Sequence, residues 1–245
     1  PADGPSLRGF STLALTDADT RYYGKASAPI SSNPLARGLF RLTFSETGVT
    51  WEQLTFRNVD SITLSPDYAR DQTLFIGETA YKIIFGLRKS ADAGKTWAPA
   101  SDGMNLSPNS GGGGFAEASF APDYPVDPVI FARTVSRYYR SLTGGTSWER
   151  VDWLPERFEG ASLTEPHWVF SPNFTEDRTA WIDFGAWITR DAGDTWRPTH
   201  GTQVMDLAAR AWCEGDRCGT LLLGGGSGWD ERAGVCTQDA LESAT

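Results

Sequence analysis

The sequence predicts an all-β protein built from repeated four-stranded antiparallel sheets. Its 245 residues include 26 Gly, 14 Pro and 10 Trp against 2 Met and 2 His, a composition suited to short strands and tight turns. Trp51, Trp97, Trp148 and Trp196 return at intervals of roughly fifty residues, the spacing of a repeat architecture. No segment sustains a helical period of apolar residues. A chain of this length suits one large domain or two small ones, and the repeats point to a single propeller domain over residues 1–245.

Two motifs recur with that period. The first, Ser65-Pro66-Asp67-Tyr68 followed by Asp71, returns as Ala121-Pro122-Asp123-Tyr124 with Asp127 and as Ser171-Pro172-Asn173-Phe174 with Asp177. The second, Ser90-Ala91-Asp92-Ala93-Gly94-Lys95-Thr96-Trp97, returns as Thr189-Arg190-Asp191-Ala192-Gly193-Asp194-Thr195-Trp196. Weaker copies end at Trp51 and Trp148, with Glu46 and Thr143 where the acid should stand, which predicts weaker turns there. Each unit reads as a strand, a Pro-Asx turn, two further strands and an Asp-Gly turn leading into a fourth strand. Four strands per repeat of this length make the blade of a β-propeller.

In order along the chain, residues 9–56 form the first blade, with strands over 10–15, 21–26, 39–44 and 51–54. Blades two to four occupy 57–103, 104–153 and 154–201, with first strands over 61–65, 118–121 and 168–171. The fifth takes 202–245, with strands over 206–212, 220–224 and 234–237 and no fourth strand of its own. Pro1-Ala2-Asp3-Gly4 resembles Pro99-Ala100-Ser101-Asp102-Gly103, the stretch after Trp97. Residues 1–8 are therefore expected to supply the missing strand and close a five-bladed ring, removing its open edge. The alternative expectation is a part of a larger propeller. A start at Pro1 fits a processed or trimmed product, so a missing signal peptide says nothing about export.

Within the octapeptides, Asp92 and Asp191 can accept amide protons of their own turn, and Gly94 and Gly193 permit positive φ. Trp97 and Trp196 then begin the outer strand and bury their indoles against the neighbouring sheet. Trp51 and Trp148 are their counterparts in blades one and three. Asp71, Asp127 and Asp177 are expected to cap the hairpin between first and second strands. The octapeptides resemble Asp-boxes, the turns of BNR-repeat propellers of the sialidase-like and Vps10-like type, and photosystem assembly propellers are related. The resemblance covers most of the chain. It implies a peripheral, structural role for these residues, away from the ligand face, and an extracytoplasmic location: secreted, periplasmic or cell surface.

With 22 basic and 31 acidic residues the net charge is −9, which argues against nucleic acid as a partner. The longest apolar stretches, over 81–87 and 220–223, fall short of the ~20 residues of a membrane helix, so no spanning segment is expected. Cys213 and Cys218 bracket Glu214-Gly215-Asp216-Arg217, which places them to face each other across a hairpin as a disulfide; three reduced thiols, with Cys236, are the alternative. His167 and His200 are far from the cysteines in sequence and no Cys-x-x-Cys exists, so neither a zinc site nor any other cofactor is expected.

The resemblance also implies a test for catalysis. Sialidases need three arginines, a Tyr–Glu pair and an acidic proton donor at the ring centre, and their Arg-Ile-Pro segment is missing here. Arg37, Arg57, Arg133, Arg137 and Arg210 stand in no recognisable motif. Other glycosidases need two carboxylates ~5–9.5 Å apart, for which Glu117, Glu165 and Asp183 are candidates by position near inner strands. The run from Ser110 to Phe115 lacks the Lys-Ser/Thr of a phosphate loop and reads as a connector. Residues 225–229 lack the glycine spacing of a nucleophile elbow. Recognition is the better expectation, on the rim where second strands turn into third strands and blades join. Tyr81, Arg137, Tyr138, His167, Trp187 and Trp229 lie there, and aromatics with arginine supply contact area with polar handles. Burial between sheets is the competing placement for the aromatics. The expected function is a noncatalytic module that binds protein or carbohydrate, alone or as a subunit of a larger assembly. The alternative is a glycoside hydrolase or lyase with acids and arginines at the ring centre.

Overall fold

A computed structural model describes residues 12–16, 20–25, 37–80, 83–106, 116–134, 137–151, 168–182, 187–198, 206–214, 217–225 and 235–237, with the backbone alone for some strand residues, including all those beyond 205. Five antiparallel sheets follow one another, each with its strands side by side in chain order. The first holds β1 (Thr12–Leu15), β2 (Thr20–Lys25), β3 (Gly38–Ser45) and β4 (Gly48–Thr55). The second holds β5 (Asn58–Leu64), β6 (Leu74–Ala80), β7 (Ile83–Ser90) and β8 (Ala98–Pro99). The third holds β9 (Ala116–Phe120), β10 (Ile130–Thr134), β11 (Tyr138–Ser141) and β12 (Glu149–Arg150). The fourth holds β13 (Val169–Phe170), β14 (Ala180–Ile182), β15 (Trp187–Thr189) and β16 (Arg197–Pro198). The fifth holds β17 (Asp206–Glu214), β18 (Arg217–Gly225) and β19 (Val235–Thr237). Residues 1–8, expected to close the ring, and the connector from 110 to 115 lie outside the described residues.

The chain divides into two compact units, residues 1–120 with 124–152 and residues 121–123 with 153–245. In the first unit, strand alternation sends neighbouring side chains of β6 to opposite sides. Leu74 and Ile76 join Tyr22 and Leu39 of the first sheet, while Phe75 between them joins Ala118, Phe120, Tyr139 and Trp148 of the third. Gly77 lets the second and third sheets approach: a Cβ there would fall 2.0 Å from the Ala116 carbonyl oxygen. Ser61 Oγ and Thr63 Oγ1 donate across the same boundary to the Ala116 and Ala118 carbonyls at 2.5 and 2.7 Å. In the second unit Trp181 and Phe174 are fully buried, Phe170 meets Phe174 edge-on at 5.3 Å, and Trp168 lies 5.5 Å from Trp196.

Two details depart from expectation. Short helices, α1 (Tyr68–Asp71) and α2 (Phe174–Asp177), stand where plain turns were predicted. Ser65 Oγ donates to Asp71 at 2.6 Å and Asp71 accepts the Thr73 amide at 2.8 Å; Ser171, Asp177 and Thr179 repeat this at 2.5 and 2.8 Å. The second copy carries Ala121 in place of the serine, and without that hydroxyl the segment runs through successive turns, with Asp127 accepting the Val129 amide at 3.3 Å. In the first sheet, only Glu46 and Thr47 separate the paired Ser45 and Gly48. That tight turn lengthens β4 to eight residues and sets Trp51 at its middle instead of its start. In sheets two to four the outer strand is two residues long and follows the Trp directly.

Candidate functional site

The turn from β7 to β8 is closed by its own side chains. Asp92 accepts the Thr96 hydroxyl at 2.6 Å, the Thr96 amide at 2.9 Å and the Ser90 hydroxyl at 2.7 Å, while Ser90 Oγ takes the Gly94 amide at 2.8 Å. Asp191 repeats the pattern with Thr195 at 2.5 and 2.8 Å and Thr189 at 2.7 Å. Ala93 and Gly94, at φ 60° and 85°, and Ala192 and Gly193, at 54° and 88°, form left-handed pairs. The Thr96 hydroxyl, then the Thr96 amide and Ser90, hold the Asp92 carboxyl at about 2. At Asp191 burial pulls upward, and the Thr195 and Thr189 bonds outweigh it to lower the carboxyl. These acids spend their lone pairs on their own turn. In the third sheet Thr143 takes the acid's place, its hydroxyl accepting the Ser147 amide at 3.0 Å.

The tryptophans that follow differ in depth. Trp148 packs edge-on against Phe75, ring centroids 6.4 Å apart, and donates through Nε1 to the Ala100 carbonyl at 2.9 Å, across the boundary between second and third sheets. Trp196 is buried and donates to the Gly193 carbonyl at 3.2 Å. Trp97 is half-buried against the cluster shared by the first two sheets, and Trp51 is half-buried 5.8 Å from Tyr23.

A second device at this end ties neighbouring sheets together, and the sequence motifs passed over its residues. Arg41, opposite Tyr22 in the β2–β3 register, donates to the Ala93 carbonyl at 3.2 Å. Lys89, opposite Phe75 in the β6–β7 register, donates to the Gly144 carbonyl at 2.9 Å and to the Tyr124 hydroxyl at 3.1 Å. Ala93 and Gly144 are equivalent left-handed residues in successive turns. The Tyr22 hydroxyl also donates to the Ala93 carbonyl, at 3.1 Å, and pairs with the Tyr68 hydroxyl. Burial first, and that pairing second, raise the Tyr68 phenol above its ordinary value. A cation on one sheet's third strand thus clamps the next sheet's turn. The available signal was a basic residue directly before the serine of the octapeptide, at Lys89; Arg41 stands before no such serine.

At the opposite end, where second strands turn into third strands, Arg137 and Tyr138 open the β11 hairpin, with the Arg137 carbonyl accepting the Thr134 amide at 2.8 Å. Tyr138 is buried, so its ring adds little contact area for a ligand. Trp187 begins β15 and is half-buried, opposite Ile182 and Pro198. Tyr81, His167, Trp229, Glu165 and Asp183 lie outside the described residues. Among the described residues, two acids at this end are ion-paired. Glu78, with its side chain 1% exposed, lies 3.4 Å from Arg57 and 3.6 Å from Arg88. Burial raises its carboxyl above the ordinary value against the pull of both guanidinium groups. Glu117 of β9 faces Arg133 of β10 in register and meets it at 2.9 Å. Sequence reasoning named Glu117, Arg57 and Arg133 but missed Glu78 and Arg88, which belong to no motif.

In the fifth sheet the β17–β18 register sets Cys213 opposite Cys218. Among the described residues no group of three or more His, Cys, Asp or Glu is arranged to hold a metal ion, and no helix is long and apolar enough to cross a membrane. No family model matches the sequence, and no curated protein does. Solved structures do resemble it. A GH74 xyloglucanase from Xanthomonas campestris matches with a TM-score of 0.54 at 15% identity, over 96% of this chain and 40% of its own. An ancestral GH74 enzyme matches with a TM-score of 0.54 at 11% identity, over 93% of this chain and 32% of its own. Both are β-propeller enzymes. The fold is of the β-propeller class. This propeller chain spans two fifths or less of those enzymes' length, and the likeness is one of fold.

Proposed function

We propose that this chain is a noncatalytic, extracytoplasmic binding propeller whose ligand class is carbohydrate. In this reading its sheets are five Asp-box blades, with residues 1–8 completing the fifth, and ligands are recognised where second strands turn into third strands, at Arg137 in the first unit and at Trp187 in the second. The observation that carries it is the state of the two described rim acids, Glu78 and Glu117. A glycosidase needs one carboxyl to donate a proton and another to attack or to activate water. Glu78 and Glu117 instead sit on guanidinium groups, which hold both acids in ion pairs. The glycan-active propellers among its fold neighbours support the ligand class. The Cys213–Cys218 register, which fits a cross-strand disulfide, supports an oxidising compartment.

A hydrolase reading draws on the raised Glu78 carboxyl, a property of general acids. Its near-complete burial keeps it from a substrate. A glycan array combined with a fluorogenic glycosidase panel separates the two. Saturable binding without turnover is expected; turnover abolished by Glu78→Gln or Glu117→Gln would overturn the noncatalytic assignment.

A further inference from the structure

A cleft of about 540 Å³ opens between the first and second sheets at the turn end, away from the rim. Its size lies in the range of small-molecule sites. The two walls differ in chemistry. From the second sheet come Leu64, Pro66, Ala69 and the half-exposed ring of Tyr68, with Gln72 at the edge and the Ser65 hydroxyl already held by Asp71. The first sheet contributes Thr20 and Thr43, directly opposed in the β2–β3 register and therefore side by side on one face. Both are half-buried, and among the described residues neither hydroxyl has a hydrogen-bond partner. Each can still donate one proton and accept two.

Two further features narrow the ligand. Tyr68 is pinned, its hydroxyl tied to Tyr22 and its ring edge-on to the Tyr22 ring with centroids 5.9 Å apart, so the apolar wall is set before anything binds. Arg41, the charged residue of the lining, is committed: one guanidinium nitrogen holds the Ala93 carbonyl and another is ion-paired with Glu52. An anionic ligand would have to break that pairing, whereas a neutral one leaves it intact.

We propose that this cleft binds a neutral pyranose unit, the C–H face of the sugar against Tyr68 and Pro66 and adjacent ring hydroxyls against Thr20 and Thr43. A pyranose has one apolar face and a hydroxyl-bearing edge, which matches two walls of unlike character. The site is separate from the rim and goes beyond the function proposed above. It is tested by titrating the protein with methyl β-D-glucoside, methyl β-D-galactoside, methyl α-D-mannoside and D-glucuronate while following backbone amide resonances. At least one neutral glycoside is expected to shift the amides of residues 16, 20–22, 41–43, 64–65 and 67–72 saturably. Thr43→Val, close in shape to the parent, should weaken that binding about three- to tenfold, as expected for one lost hydrogen bond. Glycan binding at the rim is indifferent to Thr43→Val, so failure at one site is distinguishable from failure at the other. The inference is overturned if none of the neutral glycosides shifts those amides, or if D-glucuronate binds there more tightly than they do.

Discussion

Asp92 and Thr143 solve the same local problem with different atoms. A turn with two successive left-handed residues leaves amides pointing inward, and an acceptor at its centre must take them. Asp92 takes the Thr96 amide with a carboxylate and Thr143 takes the Ser147 amide with a hydroxyl. Sequence reasoning expected a weaker turn at Thr143 because the acid is missing; a hydroxyl oxygen of suitable reach satisfies the same donor. The charged version adds a dependence on pH. Thr96 and Ser90 hold the Asp92 carboxyl at about 2 against an ordinary 3.8. A lowered carboxyl stabilises fully above its ordinary value, and that contribution drains away as pH falls from there through about 2. Asp92→Asn should melt below the parent at neutral pH, and the gap should narrow as the solution is acidified through that window. Circular dichroism melts at a series of pH values read this directly; parallel curves would mean that the ionised acid contributes nothing to the turn.

At the scale of strands and sheets, the fifty-residue period made the four-stranded unit legible, and the observed inner strands overlap the expected ones at 58–64, 116–120 and 169–170. The helices α1 and α2 were hidden because four residues are too few to display a period. The eight-residue β4 was hidden because its length comes from a tight turn at Glu46 and Thr47, not from its own composition. The clamps of Arg41 and Lys89, and the cleft beside Thr43 and Tyr68, were hidden for another reason. The clamps join residues 52 and 55 apart and the cleft joins residues of two sheets, and a local pattern carries no information about which residues of two sheets will meet. The inward placement of Tyr138 needed coordinates. Gly77 belongs to the same inter-sheet class. Its strand needs no glycine for its own sake, but an added Cβ would meet the Ala116 carbonyl at 2.0 Å and Ser61 Oγ at 2.5 Å. The carbonyl is backbone and cannot swing aside. Gly77→Ala should therefore force the second and third sheets apart and cost about 1–3 kcal/mol, the usual range for overpacking. Urea unfolding followed by tryptophan fluorescence measures this loss, and an unchanged midpoint would show that the two sheets tolerate separation.

For the whole molecule, the open question of energetics is the outer edge of the last sheet. Among the described residues the fifth sheet ends at β19, where sheets one to four each carry a fourth strand. A strand edge exposes a row of unpaired amides and carbonyls and tends to recruit another chain. In the proposed five-bladed ring, residues 1–8 pair with that edge, so a segment from the start of the sequence completes a sheet built from its end. Such a contact spans nearly the full chain length, and forming it holds both ends in place at once. Deleting residues 1–8 should then have two linked effects: a lower melting temperature and self-association through the bared edge. For a chain of this size each kcal/mol corresponds to roughly 2–4 °C, so loss of a paired strand is expected to lower the midpoint by about 5 °C or more. Calorimetry and light scattering on the truncated and intact chains read both effects. Should the truncated chain stay monomeric and melt with the parent, residues 1–8 do not close the ring, and the alternative of a larger propeller, with the fifth sheet completed by other chain, takes precedence.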